Sequence, residues 1–556
     1  MQNLLPFFVA VPLAGGFLMP VLGRLFASRR AAAVLPILFG AALLGLAVRL
    51  VLLPDADTPP YWMGAWDFPI GVSLVADGLS KFVLLVVAVV SFAALLFSMD
   101  YMTRYTSPGL YYGLFMLMLA GMNGVVLAGD LFNLFVFLEV AGIASYALVA
   151  FGTEADELEA SFKYLVLGSL ASAFVLVAIA VLYNVTGHLN LAKIAETFRA
   201  SPGPSTMLGA ALSESKGGLT VPVYLAAAFL LMGFALKAAL VPFHAWLPDA
   251  HPSAPAPISA MLSGVLIKAC GVYVLARLVF SVFAGAEVFG IILVVLGALS
   301  MVTGALLAVG QSDLKRLLAY SSISQVGYVV VAIGTGLVLL AWSPASAALG
   351  AVAALALFGG LFHLANHAVF KSLLFLVSGS IEHATGTRAL ERLGGLGRRM
   401  PLTAWCLRAA ALAISGIPPF GGFFSKFIIL LVLVQAAVLA HWAFWIVAGL
   451  ALGVALVTLL YYAKVQRAVL GGAPSPATAD AREVPFGMAL ATAALALLCL
   501  ASALILHPAV KSRLVDPAVA VLTARGSAAA EEGATPPLAS DAAAHTAQPD
   551  ALGRLP

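Results

Sequence analysis

Long apolar stretches follow one another along almost the whole chain, separated by short polar or Gly- and Pro-rich breaks. The stretches begin near Leu4, Ala31, Leu74, Leu110, Leu131, Phe162, Val221, Pro257, Val288, Leu317, Ala347, Leu402, Val432 and Val484. A helix needs about 20 apolar residues to cross the hydrocarbon core of a bilayer, whereas a membrane β-barrel would show alternating polar positions. The pattern therefore predicts an all-α integral membrane protein with about 14 transmembrane helices.

The composition supports this prediction and excludes several classes of function. Of the 556 residues, 62% are hydrophobic and only 10% are charged, and the mean hydropathy is +1.05. Soluble domains carry about 25% charged residues. The net charge of +4 is spread along the loops and gives no indication of a nucleic-acid partner. Cys270, Cys406 and Cys499 lie far apart in apolar runs, so the sequence predicts no disulfide framework, no metal site and no cofactor.

Basic residues in the loops predict how the chain is oriented in a cell (inner) membrane. The N-terminus has no basic stretch before its apolar run, so we interpret it as a retained first span. If it starts outside, the inside loops hold fourteen basic residues, namely Arg24, Arg29, Arg30, Arg104, Lys163, Lys315, Arg316, Arg388, Arg392, Arg398, Arg399, Lys464, Arg467 and Arg482. The outside loops then hold four, namely Lys193, Arg199, Lys216 and Arg277. This asymmetry predicts that both termini lie outside.

Breaks and composition divide the chain into five parts. Residues 1–109 form a three-span N-terminal region, 110–280 a first repeat of spans four to eight, 281–470 a second repeat of spans nine to thirteen, and 471–506 the last span. Residues 507–556 are rich in Ala, Pro and small polar residues, which predicts a disordered or loosely docked tail. Each repeat has a lysine within a span and a helix interrupted by Gly or Pro, as is typical of inverted-repeat transporters.

Two oppositely charged residues lie deep within predicted spans. Glu139 is near the middle of span five, and Lys237 is in span seven shortly before Pro242. A charge at the bilayer centre costs about 2.5–3.5 kcal/mol on insertion scales, so such residues indicate function. The two residues could form a buried pair in which the lysine holds or releases its proton as the carboxylate approaches or withdraws. The alternative is a static structural salt bridge.

Two further lysines lie within spans. Lys268 is in the middle of span eight, and Lys426 follows a Pro pair and two Gly that break its helix. A broken helix at membrane depth is tolerated only beside a cavity or a protein interior, which favours access of water to Lys426. The alternative for both residues is a packed lysine bonded to free backbone carbonyls.

His363, His367 and Lys371 recur at every fourth position, so they share one helix face. Two histidines at this spacing could bind zinc, but no third ligand motif accompanies them. Imidazole can accept and donate a proton near neutral pH, so we interpret the group as a proton relay. The alternative is that one or both histidines are only hydrogen-bonded structural residues.

Weaker signals lie nearer the membrane surfaces. His244, Asp249 and His251, at the inside end of span seven, form either an access site for protons or a loop held by turn chemistry. Lys81, near an outer helix end, is expected to extend its ammonium group to the surface.

Several strings are specific enough to indicate a family. They are LFNLFVFLEVAGIASYALVAF, LKAALVPFHAWLPDAHPSAPAPISAMLSGVLIKACGVY, DLKRLLAYSSISQVGY, FHLANHAVFKSLLFLVSGSIEHATGTRALERLGGL and SGIPPFGGFFSKF. Between about Leu110 and Lys464 the chain resembles the antiporter-like subunits of respiratory complex I (M- or N-type), of membrane-bound hydrogenases and of Mrp-type sodium/proton antiporters (D-type). The resemblance implies fourteen spans, with two inverted five-helix repeats and broken seventh and twelfth helices.

The resemblance also implies a chain of charged residues along the membrane midplane. Its members would be the span-five glutamate, the span-seven and span-eight lysines, the span-eleven histidine with its two neighbours, and the terminal span-twelve residue. In this sequence these are Glu139, Lys237, Lys268, His367 with His363 and Lys371, and Lys426.

The function that follows is a proton-translocating subunit of a redox-driven complex of the NADH-quinone oxidoreductase or membrane-bound hydrogenase type. Its partners would be other membrane subunits, and it would have no redox centre of its own. The alternative is the D-type subunit of an Mrp antiporter, which would also move sodium. The largest family members add a long lateral helix, and the short polar segment after Leu506 disfavours that type. A scaffold that moves no ions would not need aligned ionisable residues within its spans.

Overall fold

The computed structural model describes residues 4–23, 30–66, 71–200, 220–283, 287–343 and 346–524. These ranges are mostly helical, so the predicted all-α membrane fold is confirmed. Some sequence predictions concern residues outside the described part of the chain, namely those for the side chains of Arg24, Arg29, Arg199 and Lys216 and for the tail residues 525–556.

The helices are numbered in chain order. They are α1 (Phe7–Leu22), α2 (Ala31–Leu52), α3 (Gly78–Tyr101), α4 (Pro108–Leu127), α5 (Leu131–Val149), α6 (Ala155–Thr186), α7 (Leu191–Ala200), α8 (Thr220–Lys237), α9 (Leu247–Ser253), α10 (Ala256–Val282), α11 (Glu287–Val309), α12 (Leu314–Trp342), α13 (Ala347–Thr385), α14 (Pro401–Ser415), α15 (Gly421–Leu439), α16 (Ala443–Leu470), α17 (Phe486–Ala501), α18 (Pro508–Leu514) and α19 (Asp516–Thr523). Short helical turns cover Asp55–Asp57, Met63–Ala65, Met102–Arg104, Leu390–Arg392, Leu396–Arg399 and Ser502–Leu506. One small antiparallel hairpin pairs β1 (Tyr61–Trp62) with β2 (Ser73–Leu74).

Within the described ranges, twelve helices are long and apolar enough to cross a membrane, and three shorter apolar helices accompany them. The shorter ones are α1, α8 and α14. Two of them lie beside interruptions, because α8 is separated from α9 by residues 238–246 and α14 from α15 by residues 416–420. These are the breaks predicted in spans seven and twelve. The total of fourteen spans stays a prediction.

The break after α8 is stabilised by bonds to the backbone groups that it leaves unpaired. The indole Nε1 of Trp246 donates a hydrogen bond to the Leu236 carbonyl at 3.0 Å. The backbone N–H of Val241 donates to Ser300 Oγ of α11 at 2.9 Å. In lipid such groups must be paired within the protein, so these contacts allow a helix to end at membrane depth.

Basic residues that were predicted inside lie together on one face, which we call the basic face. Asp249 in α9 is 3.2 Å from Lys163 Nζ of α6 and 3.2 Å from the Arg316 guanidinium of α12. The guanidinium of Arg388 is 3.2 Å from the Asp313 carboxylate. Of these ion pairs, the one between Asp249 and Arg316 connects the two predicted repeats.

Both described chain ends lie on the opposite face. Helix α3 runs from Gly78 to the basic face, where Arg104 contacts the end of α13. Pro517 in α19 packs against the starting residue of α3, because a Cβ added to Gly78 would lie 2.6 Å from Pro517 Cβ. Helix α4 returns from the basic face, and the Asn123 amide near its end donates to the Phe8 carbonyl at 2.8 Å. An even number of crossings is consistent with this arrangement.

The segment after His507 was predicted to be disordered or loosely docked, and its first part forms the helices α18 and α19. Val515, Ala518, Val519 and Leu522 are buried, and their spacing of three and four places them on one helix face. This face packs against α3, so disorder is the wrong alternative for these two helices. The composition averaged over residues 507–556 concealed this short amphipathic pattern.

The prediction for Lys81 is also wrong. Its side chain is buried instead of reaching the surface. The ammonium group donates to the Asp55 carboxylate at 2.6 Å and to the Leu53 carbonyl at 2.9 Å. The loop that follows α2 folds over the lysine. Its Asp55 carboxylate and Leu53 carbonyl therefore accept the hydrogen bonds that water would accept at the surface.

A largely buried ion pair, with 12% of the Arg277 and 22% of the Asp77 side chain exposed, joins α10 to the start of α3. The Arg277 guanidinium donates to the Asp77 carboxylate at 2.7 Å and to Tyr273 Oη at 3.1 Å. Burial by itself raises the pKa of Asp77, but attraction to Arg277 and the hydrogen bonds it accepts hold that pKa below its usual value. The pair therefore stabilises the fold above the usual aspartate pKa of about 3.9, and this contribution is lost as the pH falls through the lowered value.

Arg277→Ala is expected to lower the free energy of unfolding by about 3 kcal/mol, since it leaves a buried carboxylate unpaired. Thermal unfolding in detergent at neutral pH measures the loss. The matched control is Lys193→Ala, which removes an exposed ion pair with Glu196 and should cost less than about 1 kcal/mol. Equal losses in the two variants would contradict the assignment of a stabilising buried pair.

Candidate functional site

The predicted span-five and span-seven charges lie near each other's helices but have separate partners. Glu139 in α5 is half-buried and accepts a short hydrogen bond from Ser172 Oγ of α6. Lys237 ends α8 and is 8% exposed, and its Nζ donates to Tyr146 Oη of α5 at 3.3 Å. Both charged side chains are in the described part of the chain, and they are not within the 4.0 Å of an ion pair. The structure therefore shows no direct ion pair between Glu139 and Lys237, although the sequence suggested one, either switchable or static.

Lys268 lies in an irregular part of α10. It begins a π-helical stretch, Lys268–Val272, and is 2% exposed. Its Nζ donates to the Ser263 carbonyl in the preceding turns. The Ser263 hydroxyl in turn is 2.7 Å from Ser322 Oγ of α12. Wide helical turns of this kind occur frequently at functional sites.

Ser263 and Ser322 lie between this lysine and Lys371 of the second repeat. The Leu318 carbonyl of α12 accepts hydrogen bonds from Lys371 Nζ at 2.8 Å and from Ser322 Oγ at 2.9 Å. Lys371 Nζ also donates to Tyr462 Oη of α16 at 3.3 Å. Lys268 and Lys371 are therefore linked only indirectly, through the carbonyl and hydroxyl groups of Ser263, the Ser322 hydroxyl and the Leu318 carbonyl.

The two histidines of α13 lie on one face as predicted. His363 and His367 are completely buried, and their rings are nearly parallel with centroids 6.4 Å apart. His363 Nδ1 is 2.9 Å from Ser425 Oγ of α15. His363 Nε2 and both ring nitrogens of His367 have no hydrogen-bond partner in the described ranges, and neither do the side-chain amides of Gln325 and Asn366. Such groups are normally paired with protein or with ordered water, so we expect water along this part of the interior.

Lys426 lies at the second helix break. Its Nζ donates to the Ile414 carbonyl at the end of α14 at 2.7 Å and lies 5.1 Å from the ring centroid of Tyr328. The same side chain lines a cavity of about 150 Å³ together with Ser415, at the junction of α12, α15 and α16. The lysine therefore bonds to a free carbonyl and also borders space that can hold water.

The three residues of the proposed access site do not form one cluster. Asp249 belongs to the ion pairs of the basic face. His251 is completely buried and stacks on Phe375 of α13 with centroids 4.4 Å apart, and among the described residues neither of its ring nitrogens has a partner. His244 is half-buried, and within the same ranges its Nδ1 also has no partner. Of the three, His251 is the one placed between the basic face and the interior polar groups. No group of three residues able to hold a metal occurs in the described ranges.

Sequence reasoning missed the neutral polar residues that bond to the charged ones or lie buried in the same interior. They are Tyr146, Ser172, Ser322, Gln325 and Tyr462. A search for charges within apolar runs does not detect hydroxyl or amide groups. Helical spacing was an available signal for Tyr146, because it lies about two turns after Glu139 on the same helix.

Comparisons with known proteins give consistent results. Residues 128–453 match the family described as "NADH:quinone oxidoreductase/Mrp antiporter, TM", and residues 62–112 match "NADH-Ubiquinone oxidoreductase (complex I), chain 5 N-terminus". The chain is 36% identical to the N-type subunit of the NADH-quinone oxidoreductase of Desulforudis audaxviator, over 77% of this chain and 78% of that protein. It is also 36% identical to the D-type subunit of the Na(+)/H(+) antiporter of Alkalihalophilus pseudofirmus, over 72% of this chain and 74% of that protein.

The fold is similar to that of a protein in a solved assembly. A chain in the structure of the Mrp complex from Dietzia sp. superposes with a TM-score of 0.78 and 28% sequence identity, covering 94% of this chain and 98% of that chain. The similarity thus extends over nearly all of both chains.

Proposed function

Because the chain belongs to the family of antiporter-like membrane subunits that includes NADH:quinone oxidoreductase and Mrp antiporter proteins, we propose that it translocates protons as a membrane subunit of a redox-driven complex. The complex would be of the NADH-quinone oxidoreductase or membrane-bound hydrogenase type. The chain's own contribution is a route for protons, and the redox chemistry belongs to partner subunits.

One observation carries this proposal. Buried ionisable groups from both repeats lie in series, among hydrogen-bonded polar groups and buried polar atoms that lack a partner within the described ranges. Lys268 bonds to Ser263, whose hydroxyl contacts Ser322. Ser322 and Lys371 both donate to the Leu318 carbonyl. His367 lies on the same helix as Lys371, and both of its ring nitrogens are unpaired in those ranges. Desolvated charges of this kind are costly in a packed interior, so their persistence in a series favours a transport function.

The proposed direction of transfer starts at the basic face. Protons would reach Lys237 from that side, past His251. When a charge change in a neighbouring subunit moves Glu139 relative to Lys237, the lysine would release its proton. Transfer would then continue through Lys268 and the His367 region to Lys426, beside the second helix break. With the basic face inside the cell, both termini lie outside.

The alternative is the D-type subunit of an Mrp sodium/proton antiporter. Two findings favour it, namely the 36% identity to a D-type antiporter subunit and the TM-score of 0.78 with a chain of an Mrp complex. The two functions differ in their driving force. Sodium-dependent proton movement without electron transfer would support the antiporter, and proton movement that requires electron transfer would support the redox-driven complex.

Glu139→Gln in the reconstituted complex tests the proposal. Removing the carboxylate that is thought to modulate Lys237 should reduce proton transport about tenfold, within the range typical for coupling between sites. The measurement is proton uptake into proteoliposomes, followed with a pH-sensitive dye and normalised to the amount of assembled complex.

The matched control is Glu287→Gln, which changes an exposed carboxylate at the start of α11. It should transport protons at the wild-type rate. If Glu139→Gln also transported normally, the route through Glu139 and Lys237 would be excluded and the scaffold hypothesis would gain support.

A further inference from the structure

A tyrosine occupies the place where a carboxylate partner for Lys237 was expected. Glu139 and Tyr146 lie about two turns apart on α5, so both can face the same neighbouring helices. Lys237 Nζ donates to Tyr146 Oη at 3.3 Å and lies 5.9 Å from the centre of its ring. The phenol is thus the side-chain partner of the ammonium group in this structure.

The hydroxyl of Tyr146 is seated in a notch formed by two glycines. A Cβ added to Gly168 of α6 would overlap Tyr146 Oη, and one added to Gly142 would lie 3.0 Å from it. A side chain at position 168 would therefore displace the hydroxyl. The Gly168 carbonyl also accepts a hydrogen bond at 3.1 Å from Ser172 Oγ, which is the hydroxyl that contacts Glu139. The Tyr146 hydroxyl thus contacts α6 one turn before the turn that carries the Ser172 hydroxyl.

The ring of Tyr146 is fixed by aromatic packing that reaches the helix break. Tyr164 contacts it edge-to-face with centroids 4.5 Å apart, and Trp246 stacks on Tyr164 at 4.1 Å. Trp246 in turn donates to the Leu236 carbonyl, next to Lys237. The phenol is therefore held relative to the backbone that carries the lysine.

We propose that Tyr146 is a positioning residue that serves as the alternate, neutral partner of Lys237 when the lysine separates from Glu139. This inference rests on the proposed function. An ammonium group that left the carboxylate without another acceptor would be an unpaired, desolvated charge. The phenolic oxygen lowers this energetic cost, because it accepts a hydrogen bond from the charged lysine. Being neutral, it does not favour the protonated lysine as strongly as a carboxylate would. Lys237 can thus alternate between two partners during each turnover.

Tyr146→Phe is the first test, since it removes the hydroxyl and keeps the ring. Without its neutral partner the lysine should remain beside Glu139, and proton transport by the reconstituted complex should fall about tenfold, the effect typical of losing a hydrogen bond to a charged group. Because a nearby carboxylate favours the protonated lysine, the alkaline half-maximal point of the rate profile should move up by about one pH unit.

Gly168→Ala and Tyr224→Phe complete the design. The alanine methyl should displace the hydroxyl without removing it, and we expect the same loss of rate and the same shift in pH profile. Tyr224→Phe removes a buried hydroxyl of α8, the helix that ends at Lys237, and this hydroxyl has no hydrogen-bond partner within the described ranges. The variant should leave rate and profile unchanged.

A double-variant comparison separates positioning from packing. If the only role of Tyr146 is to replace Glu139 as the partner of Lys237, its loss should have no further effect once the Glu139 carboxylate is gone. The double variant Tyr146→Phe and Glu139→Gln should then transport about as slowly as Glu139→Gln alone. Multiplied losses with an unchanged pH profile, or a normal rate in Tyr146→Phe, would overturn the inference.

Lys237→Ala distinguishes failure of this inference from failure of the proposed function. Normal transport by that variant would exclude the proposed route through Lys237, on which the role of Tyr146 depends. Loss of transport in Lys237→Ala together with a normal rate in Tyr146→Phe would remove only the role of the tyrosine.

Discussion

Lys237→Ala is expected to lower proton transport by the assembled complex about a hundredfold, the lower end of the effect of removing a positioned proton-transfer group. The lysine is the buried basic group beside the first helix break, and its ammonium is bonded to a neutral phenol. Alanine has no group that can bind a proton between the basic face and Lys268. The measurement is the number of protons moved per electron transferred in proteoliposomes.

The matched control for this variant is Lys511→Ala. Lys511 lies on α18 and forms a partly exposed ion pair with Asp516 at 2.8 Å. It should leave the ratio of protons to electrons unchanged. A normal ratio in Lys237→Ala, with the complex assembled in normal amounts, would exclude this lysine from the route.

Lys426→Ala should also reduce steady-state transport about a hundredfold, because it blocks the last step of the route, the release of the proton on the far side. Lys426 borders the cavity at the second helix break, where we place the exchange of protons with the far side. Protons should still be taken up at the basic face during the first turnover, because Lys237 and Lys268 are intact. A stopped-flow measurement of dye protonation should show this uptake in Lys426→Ala and not in Lys237→Ala.

Lys426→Arg separates the proton-transfer role from the structural one. The Lys426 ammonium donates to the Ile414 carbonyl at 2.7 Å, so the lysine could act only as a cap for α14. Arginine can donate to the same carbonyl, but it stays charged at all accessible pH values and cannot release a proton. We expect arginine to preserve stability and to transport as slowly as alanine. Wild-type transport by Lys426→Arg would show that the residue is structural.

The predicted helices agree with the structure because lipid imposes a strong rule on sequence. A backbone that crosses the bilayer must pair its own polar groups, so each crossing needs a long apolar run. The same rule exposes Glu139, Lys237 and Lys268, since a charge within such a run is conspicuous. The breaks near Pro242 and after Ser415 were likewise visible as Pro and Gly within apolar segments.

Predictions failed where short-range contacts decide the outcome. Lys81 was expected at the surface, but a loop folded back and supplied Asp55 as its partner. The segment after His507 was expected to be disordered or only loosely docked, but four apolar residues on one helix face pack against α3. Composition averages over such patterns, and a loop's path cannot be inferred from its residues alone.

By itself the sequence determined the membrane-embedded helical architecture, the two broken helices and the identity of the buried ionisable residues, because the cost of placing charge or unpaired backbone in lipid limits where these can occur. Only the tertiary structure decided how those residues are connected. It gave Lys237 a tyrosine instead of a carboxylate, and it placed Ser263, Ser322 and the Leu318 carbonyl between Lys268 and Lys371. Hydrogen bonds act over about 3 Å, so partners from different helices are fixed only when the helices have packed.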